Sequence, residues 1–402
     1  MRVGLVGANP VVEPAQRDGS TAAMAAAMAA RGADVTVYAP RHDAEAPETL
    51  EVDGFRVVQM PQTVGAGASD LAGVLNDFAR FLVDRWSTER PDVVHAGSWI
   101  HGVAAQLSAD RHSIPTVQAL PELGATLTRR QSRVVGPPAR TRLERLLART
   151  ATRVAAACSE DVEDLIRMGC ARSRIAVLPQ GVDVDAFAPT GPVADRKVDQ
   201  ENGFRIVAAV DHFLPHHGLD DLIRVIAKLP AAELVIVGGP VFDGLEHDPE
   251  AARLQRLAVD EGVSGRVRLT GALPVDERAA LLRSADVFAC ASWYEPTNPA
   301  LLEAMACGVP VVATEAGAAG DVVIHDVTGL MVPPRNSPKL FAALTAMLHG
   351  GLLREGMGLA GRARARSCYG WDRVASETEN ALQRAVDAHA ARPATRSTVG
   401  AR

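Results

Sequence analysis

The sequence predicts an α/β protein made of two Rossmann-like units that face a central cleft, and three observations predict it. Short apolar runs alternate with helical stretches twice over in 402 residues, enough chain for two full cores. A polar stretch, residues 187–202, carries three prolines or glycines and separates the two alternations as a linker. Hydrophobic residues make up 47% and aromatics only 4%, with Ala, Val and Leu dominant, as in an α/β protein.

In order, Val3–Gly7 reads as the opening strand. An Ala- and Met-rich helix, Asp18–Arg31, stops at Gly32 before the strand Val35–Tyr38. A helical run Ser69–Arg90 stops at Pro91, and strands follow at Val93–His95, Thr116–Gln118, Val154–Ala157 and Ile175–Leu178. Between them Gly124–Arg140 is a basic loop with Gly136-Pro137-Pro138, read as a mobile segment near an acceptor. The second unit offers Ile206–Val210, Leu234–Val237, Val267–Thr270, Val287–Cys290, Val309–Ala313 and Leu330–Val332. Trp371-Asp372 starts a last helix, and Arg392–Arg402 is small, polar and read as disordered. The expected units are residues 1–190 and 203–365, with a helix at about 371–390 and a tail at 392–402.

Composition excludes several classes. A net charge of −6 argues against a nucleic-acid partner, whose footprint is basic. Cys158, Cys170, Cys290, Cys307 and Cys368 lie apart without a CxxC, so neither zinc nor a disulfide framework is indicated. Val3–Gly7 is too short for a signal segment, and no run of about 18 apolar residues offers a membrane span. The expectation is a soluble, reduced, cytoplasmic protein. Gly4-x-x-Gly7 is not a full dinucleotide fingerprint, which weakens a nicotinamide cofactor, and no Asp-x-Asp is positioned as a metal site.

Chemistry concentrates in Trp293–Thr314. Glu295 lies in a loop leaving the apolar strand that ends at Cys290, and seven residues separate it from Glu303. Asn298 suits a helix cap and Pro299 the first helical position. The amides of Ala300 and Leu301 then stand at an anion-receptive helix start, with Glu303 one turn inside. A loop carboxylate, a helix start and a helix carboxylate suit a sugar, a diphosphate and a ribose in a row.

On this block the chain resembles the retaining GT-B glycosyltransferases of family 4, in the actinobacterial branch that makes the mycothiol precursor. Phe78-Ala-Arg, Arg90-Pro-Asp-Val-Val-His-Ala, Cys158-Ser-Glu-Asp, Gly181-Val-Asp, Ser284-Ala-Asp and Val327-Thr-Gly extend the likeness over about residues 1–385. The resemblance implies a metal-independent transferase with no cofactor. A nucleotide-diphosphate sugar (GDP or UDP) would be co-substrate for a small-molecule acceptor; a homodimer is left open. Glu295 would contact the donor sugar and Glu303 the ribose, and the last helix would cross back to the first unit.

Departures from the family pattern fall on the chemistry. His212 and His217 stand where relatives place an Arg and a Lys on the diphosphate; they would serve as cations, or else belong to a decayed site. Thr297-Asn298 replaces Phe-Gly, and Arg268 lies near the nucleobase position or is a surface arginine. On the acceptor side Ala15-Gln16 replaces a glycine pair and Asp18 an Asn. His95-Ala-Gly97 replaces His-x-His with Ser98-Trp99 next, and Pro121, followed by Glu122, replaces a histidine. Asp18, Ser98, Trp99 and Glu122 are the acceptor-side candidates; Trp99 is either a stacking face or packing, and His95 is structural or catalytic. Side chains at Gly97 and Pro121 accept no proton, which points to an acceptor that needs no general base, such as a thiolate or thione. The implied match is the S-glycosylating branch of lincosamide antibiotic assembly, where a GDP-activated octose meets ergothioneine. Transfer to a cyclitol or aminocyclitol hydroxyl, a silent sugar-nucleotide-binding protein and a same-fold 2-epimerase are the alternatives.

Overall fold

The computed structural model describes residues 1–7, 20–41, 45–60, 71–131, 137, 139–196, 203–240 and 242–391. The first lobe contributes β1 (Arg2–Val6), β2 (Asp34–Pro40), β3 (Thr49–Val52), β4 (Phe55–Met60), β5 (Val93–Ala96), β6 (Thr116–Ala119), β7 (Arg153–Ala156) and β8 (Ile175–Val177). The second contributes β9 (Phe204–Val210), β10 (Ala232–Gly238), β11 (Val267–Leu269), β12 (Val287–Cys290), β13 (Val311–Thr314) and β14 (Gly329–Val332). Sheet orders are β3-β4-β2-β1-β5-β6-β7-β8 and β11-β10-β9-β12-β13-β14. Every pairing is parallel except β3 with β4. Strands covered on both faces read as continuous apolar runs, which is why the alternation was visible in the sequence.

Helices α1 (Ser20–Ala30), α2 (Leu71–Thr88), α3 (Trp99–His112), α4 (Gly124–Gln131), α5 (Arg140–Thr150) and α6 (Ser159–Arg167) belong to the first lobe. The second holds α7 (Leu219–Ile226), α8 (Pro249–Asp260), α9 (Val275–Arg283), α10 (Pro299–Ala306), α11 (Ala318–Val322), α12 (Ser337–His349) and α13 (Gly351–Arg364). The last helix, α14 (Trp371–Ala390), returns to the first lobe, where Ala375, Leu382 and Ala385 share a core with Val3, Leu5 and Val37. No described helix is long and apolar enough to cross a membrane. All five cysteines are free thiols.

Several expectations change. The hairpin β3–β4 went unread although Asp53-Gly54 turns it, with φ of 47° and 83°, the left-handed pair such turns require. Gly124–Gln131 is helical rather than loop, because Thr126 and Arg129 bond the buried Asp164. The strand expected from Val309 starts at Val311, beyond Pro310. Phe187, read as linker, is fully buried in the second lobe's core, and residues 187–196 run along that lobe through Ala194 and Arg283. Residues 197–202, the Gly136 and Pro138 positions and the tail 392–402 lie outside the described residues.

Candidate active site

The second sheet reverses its order between β9 and β12, and a parallel sheet opens its cleft at such a point, beyond the strands' carboxyl ends. Here that cleft has a volume of ≈ 440 Å³, and Asp211, Arg278, Glu295, Thr297, Ala300 and Glu303 are in its wall.

Glu295 is tightly held. Its Oε2 accepts from Ser292 Oγ at 2.6 Å, Asn298 Nδ2 at 2.9 Å and Cys290 Sγ at 3.5 Å. Burial of the carboxyl pushes its pKa up to about 7, against the opposing pull of the Ser292 and Cys290 donors. Asn298 also caps α10, accepting from the Leu301 amide at 2.9 Å. The expected cap is present, and the anion-receptive helix start is corrected at Leu301. Asn298 is buried and spent on the cap and on Glu295, and the Leu301 amide is spent on Asn298, so neither is open to a phosphate. Ala300 remains at the helix start in the cleft wall.

Glu303 is 6% exposed, and both its oxygens bind Arg278, at 2.9 Å to Nε and 3.1 Å to Nη2. Burial raises its pKa, with Arg278 opposing. The expected free ribose ligand is thus half of a bidentate pair, and a ribose hydroxyl would have to share its lone pairs. Arg278 comes from α9, and nothing in the sequence reading marked it.

Comparison with known proteins bears on the same residues. A family model described as "Glycosyl transferases group 1" matches residues 193–364, and one described as "Glycosyl transferase 4-like domain" matches residues 20–181. The D-inositol 3-phosphate glycosyltransferase of Kribbella flavida is 30% identical over 344 residues, 81% of this chain and 80% of that one. That of Mycolicibacterium smegmatis is 33% identical over 324 residues, 76% and 72% of the two chains. The chain belongs to the GT-B glycosyltransferases. Sucrose-phosphate synthase from Thermosynechococcus elongatus shares the glycosyltransferase's fold at a TM-score of 0.81 with 22% identity, over 96% of this chain and 99% of that one. Anabaena HepE in complex with UDP and glucose does so at 0.73 and 18%, over 96% and 100%.

In this glycosyltransferase the histidine loop differs from expectation. His217 is buried, and its Nδ1 lies 2.7 Å from the His212 carbonyl, an acceptor only, so Nδ1 carries the proton. Burial pushes the His217 pKa down to about 4, leaving Nε2 a bare lone pair near neutrality. His217 is therefore not the cation expected for a diphosphate. His212 is exposed, and neither imidazole lines the cleft. Arg268, on the edge strand β11, is exposed and also outside the cleft wall.

The acceptor-side candidates are scattered. Asp18, Ala15 and Gln16 lie outside the described residues. Ser98 caps its own helix, α3, and pairs with His101 Nδ1 at 2.9 Å. Trp99 is packing, not a stacking face: it is 9% exposed among Leu120, Leu123 and Leu147. Glu122 is exposed at φ 55° and stands outside the described lining of the cleft and of a second cavity, which its neighbour Pro121 does line. That second cavity, ≈ 150 Å³, is lined by His95, Gly97 and Pro121, and meets the cleft at Gln180 and Thr297. His95 is its one titratable side chain among the described residues, and burial pushes its pKa down to about 4. Among the described residues no group of three or more His, Cys, Asp or Glu side chains is disposed to hold a metal ion.

Proposed function

We propose that this enzyme moves a sugar from a nucleotide-diphosphate donor to a small acceptor whose attacking atom needs no general base, with retention at the anomeric carbon. A sulfur nucleophile such as ergothioneine, with a GDP-sugar donor, fits that description. One observation carries the reading: the cavity beside the donor cleft offers one titratable side chain among its described lining, His95, and burial makes it a weak base. A hydroxyl must shed a proton as it attacks; a thiolate or thione need not.

In this reading Glu295 orients the sugar ring through the carboxyl oxygen not held by Ser292 and Asn298. The Ala300 amide and Arg278 face the leaving diphosphate and ribose. His217, whose Nδ1 is spent on the His212 carbonyl, would meet the diphosphate only through a protonated Nε2. A second reading, transfer to a cyclitol hydroxyl, is favoured by the likeness to D-inositol 3-phosphate glycosyltransferases.

The test is incubation with GDP- and UDP-sugars against ergothioneine, small thiols, inositol and inositol 3-phosphate, with products weighed by mass spectrometry. Transfer to sulfur supports the first reading. Transfer to hydroxyls alone overturns it in favour of the second, and no transfer from any donor returns the chain to a binding role.

A further inference from the structure

The start of α6, part of the Cys158-Ser-Glu-Asp block, has no role in the chemistry above. Its first three residues each reach across to the other lobe. The Ser159 amide donates to Asp321 Oδ2 at 2.6 Å, Glu160 Oε2 accepts from the Gly317 amide at 2.7 Å, and Asp161 Oδ1 accepts from Tyr294 Oη at 2.9 Å. The last two bonds bracket Glu295. Tyr294 precedes it in the chain, and its side chain has no exposed surface. On the other flank the Glu295 carbonyl accepts from the Ala318 amide at 2.9 Å, directly beside Gly317. Gly317 sits so close that a Cβ there would lie 2.0 Å from the Glu295 oxygen, at φ 55°.

We propose that Glu160 and Asp161 are positioning residues for Glu295, holding its loop in register only while the two lobes are seated together. The inference rests on the glycosyl-transfer reading for its consequence, not for its geometry. First-turn carboxylates usually serve their own helix's amides; these two spend an oxygen each on another lobe. Asp161 is fully buried, and among the described residues its Oδ2 has no hydrogen-bond partner. A buried carboxyl with unmet acceptors is costly, and an apolar pair of the same shape would be the more stable filling. Burial pushes its pKa up to about 7, with Tyr294, Cys158, Glu160 and Asp164 the groups that face it. Parting of the lobes would release Tyr294 and Gly317 together, and with them both flanks of Glu295.

Full-length enzyme is compared with Glu160→Ala, Tyr294→Phe, Glu160→Gln, Asp161→Asn and, on the same helix, Glu163→Ala, whose partner is Arg167. Nucleotide release from UDP-glucose and GDP-mannose gives kcat and donor KM, and hydrogen exchange is followed at residues 292–298. Glu160→Ala and Tyr294→Phe are expected to lower kcat by about tenfold or more with donor KM changed by less than about twofold. Glu160→Gln and Asp161→Asn, which keep an acceptor oxygen, should match the wild type, as should Glu163→Ala. Exchange at 292–298 should quicken in the first two variants. Unchanged kcat in both, an equal loss in Glu160→Gln, or unaltered exchange overturns the proposal. Should the wild type release no nucleotide from any donor, the glycosyl-transfer reading falls, and the exchange data alone decide the positioning.

Discussion

At the scale of single residues, Glu295 and Glu303 share a wall but have opposite chemistry. Glu295 has a folded pKa near 7, above its ordinary value of 4.5. Between those two values the native state binds more protons than the unfolded chain, so its stability falls as pH rises through that window. Glu295→Gln removes this titration: thermal unfolding at pH 8 should show a gain of about 1–3 kcal/mol over wild type, shrinking toward zero at pH 4.5. Its kcat should drop by about 10²–10³. Glu303→Ala leaves Arg278 without its carboxylate, at 17% side-chain exposure, and should cost about 3–5 kcal/mol in urea unfolding. Replacing both residues by Leu should recover most of that loss. Nucleotide affinity of Glu303→Ala is read only where the variant remains folded. Both glutamates were legible because their spacing is local to one loop and one helix. Arg278 was not, since it arrives from 25 residues away with no repeat or motif to announce it. Trp99 failed for the same reason: its neighbours come from β6–α4 and α5, so packing chose between two readings that local sequence left equal.

At the scale of elements, α10 was read from Asn298-Pro299 because cap chemistry is local. What the sequence did not reveal is that the cap side chain also fixes a catalytic candidate. Asn298→Ala should therefore cost about 1 kcal/mol for the cap and, in the same variant, lower turnover by loosening Glu295. Urea unfolding and steady-state kinetics measure the two losses separately. The histidine loop has a different control point. Gly218 at φ 68° starts α7, and a Cβ there would approach the Ala291 carbonyl oxygen to 2.2 Å. Gly218→Ala should destabilise by about 3 kcal/mol or more, because neither the backbone angle nor the neighbouring carbonyl yields to a methyl group. A midpoint in urea equal to wild type would refute this. The β3–β4 hairpin shows the reverse lesson: its Asp53-Gly54 signal was present, but a four-residue edge strand carries too little apolar pattern to stand out beside long buried neighbours.

At the scale of the whole molecule, both sheets were legible apart from the β3–β4 edge of the first, and the cleft followed from their topology. The charge of that cleft was not. Its described wall holds Asp211, Glu295 and Glu303 against Arg278, an acidic setting for a diphosphate. Protonation of Glu295 as pH falls from 8 to 6 removes one opposing charge, so GDP and UDP should bind about three- to tenfold more tightly at pH 6 in calorimetry. Glu295→Gln should flatten that profile, whereas an origin in His217 would place the rise near pH 4. The returning helix α14 has a consequence for synthesis. Ala375, Leu382 and Ala385 complete the core around Val3 and Leu5, while the second lobe's core closes within residues 182–369. Translation delivers the amino-terminal sheet first but withholds its final covering until the carboxyl-terminal lobe has left the ribosome. The lobe made first is thus finished last, and a nascent chain stalled before Trp371 presents an open apolar face to the chaperones that meet it.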